Sequence, residues 1–121
     1  GATDRYLGLL VDRHRRFALY YLREHGTATR TELIDVLTGW LGTAEGGRAG
    51  RRERRRVRTA LQHVHLPKLT SAGVVRYDSE TDVVELATLP EWVDRCLDIA
   101  FDAEATAESA RADALTDSLD R

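Results

Sequence analysis

Methionine is absent from this 121-residue chain, cysteine and lysine each occur once, and proline occurs twice. One cysteine, Cys96, excludes an internal disulfide and any zinc site built on several thiolates. Its neighbours Val93, Leu97, Ile99 and Ala100 are apolar, so it reads as a small buried residue on a helix face in a reduced setting. No apolar run approaches the roughly 18 residues a membrane-spanning helix needs. The first ten residues lack the basic start and apolar block of a secretory leader, so a cytoplasmic location without a membrane partner is expected.

What is present is arginine. Lys68 is the sole lysine among 18 basic residues, and seven arginines fall between Arg48 and Arg58. The overall net charge of −2 hides a division: residues 1–77 carry net +8 and residues 78–121 net −10. Clustered guanidinium groups suit phosphate, because each displaces a counterion and can pair bidentately. Adjacent like charges on a helix repel, so a structural role alone does not favour such a cluster. The competing explanation is compensation by the acidic C-terminal stretch of the same or a second chain.

The pattern along the chain is mainly helical. Leu7, Leu10, Phe17, Tyr20 and Tyr21 predict one helix over 4–25, stopped by Gly26. Thr29 and Glu32 have capping-box spacing and open a second helix that should end near Thr38 or Gly39, with Trp40 and Leu41 packing under a flexible glycine-rich loop over 42–50. A third helix follows, its apolar face formed by Val57, Ala60, Leu61 and Val64. Pro67 kinks or restarts it near Leu66, and Gly73 closes it. Val74–Tyr77 and Val83–Leu86 flank the polar "DSETD" and predict a short hairpin. Pro90 then opens a last helix with a heptad-like seam of Leu89, Val93, Cys96, Ala100 and Ala103.

That order is the order of a winged helix-turn-helix domain. "HLPKLTSAGVVRYD", His65–Asp78, resembles the end of the recognition helix and the start of the wing in ArsR-like and MarR-like regulators. "HRRFALYYLREHGTATRTELIDVL" resembles their first two helices, and the two stretches together are similar to haloarchaeal winged-helix domains. The preference for arginine over lysine, with abundant acids, alanine and threonine, likewise resembles proteins of salt-loving archaea. The expected fold is mainly α with a small β-hairpin wing: a winged helix-turn-helix domain over 4–88, a C-terminal helix over 89–116 and an acidic tail over 117–121.

The resemblance implies double-stranded DNA as partner. It places Thr59, Gln62 and His63 where the family meets bases, and Arg51, Arg52, Arg55, Arg56 and Arg58 just before them. Arg76 would act from the wing. It also implies a homodimer through the C-terminal helix, with Trp92, Val93, Cys96, Ile99, Ala100 and Ala103 as contact candidates. The turn between the second and third helices is longer than the family's tight turn. No histidine pair among His14, His25, His63 and His65 has the four-residue spacing of a zinc protease, and "GTAEGGRAG" lacks a Walker ending. Neither an enzyme nor a metal or cofactor site is expected. The alternative function is a non-enzymatic protein-interaction adaptor on the same scaffold.

Overall fold

The computed structural model describes residues 1–44 and 50–119. Residues 45–49, with Arg48 and most of the expected glycine-rich loop, lie outside the described residues, as do the last two residues of the acidic tail. The chain divides into two units, Gly1–Leu89 and Pro90–Arg121.

In the first unit the elements run α1 (Ala2–Leu10), α2 (Arg13–His25), β1 (Thr27–Thr29), α3 (Arg30–Ala44), α4 (Arg51–Ala60), a π-helical segment (Leu61–His65), α5 (Leu66–Ser71), β2 (Val75–Asp78) and β3 (Val83–Leu86). The single helix expected over 4–25 is broken. Asp12 takes an extended backbone (φ −94°, ψ 132°) and its Oδ1 accepts the His14 amide at 2.7 Å, so it caps α2 rather than continuing α1. Two arginines then satisfy the carbonyls at the end of α1: Arg15 Nε donates to Leu9 O at 2.7 Å, and Arg16 Nη1 to Leu10 O at 2.8 Å.

Gly26 ends α2 in a positive-φ conformation (φ 81°), its amide donating to Leu22 O. The Thr29–Glu32 box forms as expected: Glu32 N–H donates to Thr29 Oγ1 at 3.0 Å, and Thr29 N–H returns to Glu32 Oε1 at 3.3 Å. The next helix runs past Thr38 and Gly39 to Ala44. Thr38 Oγ1 donates back to Ile34 O, which absorbs its hydroxyl inside the helix. Leu41 is buried, and Trp40 meets Phe17 and Tyr21 of α2 edge-on at 5.9 and 6.1 Å, so this turn is anchored on α2.

The sheet has three antiparallel strands in the order β1–β3–β2, one more than the hairpin read from sequence. Thr27–Thr29 becomes a strand because it pairs with β3, Ala28 opposite Val84. Val75, Val84 and Ala28 are buried on its inner face. They close a core with Leu19 and Leu22 of α2, Leu33 and Leu37 of α3, Leu61 of the π segment and Leu69 of α5. Each such leucine contributes on the order of 2 kcal/mol through burial. A six-to-one bond from Val74 N to Leu69 O and a five-to-two bond from Gly73 N to Thr70 O end α5, with Gly73 at φ 73°. The unit is mainly α with a small β wing, in the order expected.

The second unit is one helix, α6 (Glu91–Leu119), of 29 residues. The amides of Val93 and Asp94 close its first turn on Pro90 O. Val93 and Leu97 are buried, whereas every described side chain from Ala105 to Ser118 is exposed.

Candidate nucleic-acid interface

Helix α4 opens at Gly50, whose amide donates to Glu53 Oε2 at 3.1 Å. Glycine has no side chain to complete a capping box, so Glu53 supplies half of one. Backbone amides, its own and that of Gly50, hold the Glu53 carboxyl below its ordinary value, with Arg56 and Arg52 assisting. Glu53 is the one acid in a helix start that already carries the positive end of the peptide dipoles. Arg51 and Arg52 in that first turn are therefore unfavourable for the helix alone. An approaching anion would relieve both effects.

Val57 and Leu61 are the buried residues of this stretch, and they orient the rest. Arg51, Arg55, Arg58 and Gln62 follow one another at four- and three-residue steps along the exposed side; Arg52, Arg56, Thr59 and His63 form a second row beside them. All eight are exposed. Among the described residues, none of the five arginines in these rows lies within ion-pairing distance of a carboxylate. The exception on the helix is Arg54, whose Nη2 sits 2.9 Å from Asp35 Oδ1 of α3. The helix thus uses one arginine to pack and leaves five facing solvent.

The apolar face expected for this helix fails at one point. Val64 is 42% exposed and His65 is buried in its place. The cause is the π segment. Leu66 donates its amide to Leu61 O, five residues back, which adds a residue to the turn and shifts what points inward. Pro67 has no amide, so the regular ladder is already interrupted at the start of α5.

His65 meets a network that the sequence did not reveal. Arg15 Nη1 lies 3.0 Å from His65 Nδ1, the His14 ring stacks on His65 with centroids 4.8 Å apart, and Asp12 Oδ1 lies 3.1 Å from His14 Nδ1 and 3.8 Å from His65 Nε2. Burial pushes His65 down to about 4; Asp12 opposes this, while His14, Arg15 and Lys68 add to it. Asp12 is drawn up by its own burial, yet the His14 amide and the charges of His65 and His14 bring it below its ordinary value. Members of this cluster stand some fifty positions apart in sequence, with no local spacing to mark them. Beside it, Arg5 of α1 and Lys68 of α5 rim a shallow groove floored by Leu9, Val64 and Pro67.

The wing is less favourable to an anion. Arg76 stands opposite Glu85 in the register of β2 and β3, and its Nε donates to Glu85 Oε1 at 3.1 Å. The connection between the strands carries Glu80 and Asp82 next to Asp78, and Arg30 reaches Asp82 at 3.3 Å. Arg76 is therefore charge-matched within the wing, unlike the five exposed arginines of α4.

On α6, Val93 is buried, Trp92, Cys96 and Ala100 are half-buried, and Ile99 and Ala103 are exposed, Ile99 by 70%. Among the described residues no helix is long and apolar enough to cross a membrane.

Fold and surface together define a small helical domain with a three-stranded sheet and a strongly cationic helix. Residues 7–85 match the family model described as "Domain of unknown function (DUF7344)", and the chain belongs to that family. No curated protein and no solved structure matches the chain.

Proposed function

We propose that this domain binds double-stranded DNA through α4 and the π segment, acting without catalysis as a cytoplasmic transcription regulator of winged helix-turn-helix type, similar to ArsR-like and MarR-like proteins. The observation that carries the reading is the row arrangement of Arg51, Arg52, Arg55, Arg56 and Arg58, exposed and without a carboxylate partner among the described residues. A helix of about 10–12 Å diameter fits the major groove, with arginines toward the backbones and Thr59, Gln62 and His63 toward base edges. Phosphate contacts weaken steeply with salt, so a chain with the composition of a halophilic protein needs many of them. A homodimer paired through α6 would present two such helices to successive half-sites.

The test is a salt titration of duplex binding. The logarithmic slope is expected to be steep, and to shrink by roughly two when Arg55 and Arg56 are both replaced by alanine, near one unit per lost phosphate contact. A folded protein that binds no duplex at low salt overturns the reading.

A second reading, a protein-interaction adaptor, draws support from the wing. The acids around its turn and the Arg76–Glu85 pair suit a partner other than a polyanion. Failure to bind duplex, with the fold intact, is the outcome this alternative requires.

A further inference from the structure

Asp12, His14 and His65 bring three ligand-type atoms within 4.8 Å of one another, a spacing of the size a transition-metal ion spans. Arg15 argues against that use. A guanidinium only donates hydrogen bonds, so with Nη1 at 3.0 Å the Nδ1 of His65 must accept. The neutral ring then carries its hydrogen on Nε2, the edge turned to Asp12 Oδ1. An ion on Nε2 would move that hydrogen to Nδ1, donor against donor, and set a second cation beside an arginine that is only 7% exposed.

The same contact has another consequence. The apolar spacing of Val57, Leu61 and Val64 favours an uninterrupted α-register with Val64 inward. The observed register turns Val64 out and buries a histidine, which requires a partner in the interior. Arg15 is that partner. It is itself fixed, since Nε holds Leu9 O at 2.7 Å and Nη2 holds Gly8 O at 3.2 Å. Stacking of His14 on the His65 ring closes the other side.

We propose that the Arg15–His65 contact is a latch that selects the π register, and that His65 is thereby a positioning residue for base recognition by Gln62 and His63. This rests on the DNA-binding reading above. The arginines of α4 precede the π segment and are independent of its register. The latch therefore governs discrimination between sequences, while the electrostatic affinity for any duplex is set elsewhere.

The experiment compares a duplex obtained by selection from random DNA with an unselected duplex of equal length, at one salt concentration. For His65→Leu and Arg15→Met the ratio of the two affinities is expected to fall by about ten-fold or more, the size of one good base contact. His65→Asn, which keeps an acceptor near the Nδ1 position, should restore most of the ratio. The salt slope on unselected DNA should not move in any of the three. An unchanged ratio in folded His65→Leu overturns the latch. So does a wild-type protein that binds duplex without sequence preference, and in that case the DNA reading survives. A protein that binds no duplex removes both. Nitrogen-15 NMR of the wild-type chain gives a check that needs no variant to fold: His65 must carry its hydrogen on Nε2 at neutral pH, and a hydrogen on Nδ1 refutes the contact.

Discussion

Arg54 and Asp35 join α4 to α3: Nη2 and Nε of the arginine both lie 2.9 Å from the same carboxylate oxygen. Both side chains are partly exposed, so the pair contributes at most about 1 kcal/mol. Arg54→Ala is expected to lower stability by that amount in urea denaturation and to leave the salt slope of duplex binding unchanged. Arg55→Ala should do the reverse, leaving stability intact and lowering the slope by roughly one. Equal effects of the two substitutions on the slope would mean that Arg54 leaves Asp35 when DNA binds.

Acid should weaken the fold through His65. Its folded value near 4 lies below the unfolded 6.5, so between those limits the unfolded chain binds the extra proton. Stability is complete above about pH 6.5, falls as the pH drops toward 4, and levels off below that. Asp12, depressed in the folded state, adds a further loss at still lower pH. The His65 contribution is at most on the order of 3 kcal/mol, about 1.4 kcal/mol for each unit between the ordinary and the folded value. Thermal melts of wild type and His65→Asn across this window test it, because the substitution should remove the dependence between pH 6.5 and 4.

Gly73→Ala should destabilise by about 1–2 kcal/mol, since φ is 73° and an alanine there pays the left-handed penalty at the bond pair that closes α5. Chemical denaturation measures this. A loss below about 0.3 kcal/mol would mean that the end of α5 relaxes into another turn.

Thr29→Ala removes the acceptor for the Glu32 amide and should cost about 1 kcal/mol. Glu32 also accepts from Tyr21 Oη at 3.3 Å. Glu32→Gln should still cost less than Thr29→Ala, because the amide oxygen can keep the Thr29 N–H while its NH2 donates to the Tyr21 hydroxyl, which can also accept. Urea midpoints of the two variants decide the order.

Features set by near neighbours were legible in the sequence. Gly26, the Thr29–Glu32 box, the turn between Asp78 and Val83, and Gly73 each act within a few residues. Features set at a distance were not. Thr27–Thr29 is a strand only because residues more than fifty positions later lie beside it. The break at Asp12 was masked by an apolar periodicity that runs through it from Leu7 to Phe17. Likewise the inward turn of His65 depends on Arg15, so helical spacing alone put Val64 inside. Charge was legible as composition, and the separation of Arg54 from its exposed neighbours needed the position of Asp35.

If α4 binds DNA as proposed, the acids around the hairpin turn would limit how much of a duplex one chain can hold. With that rim repelling phosphate, gripping would fall to α4 and the exposed start of the π segment, 51–63, about 13 residues spanning roughly 20 Å. That length covers roughly six base pairs at 3.4 Å each. So short a word recurs by chance throughout any genome, and a lone copy could not single out one promoter. Selectivity on a chromosome would have to come from reading the word twice.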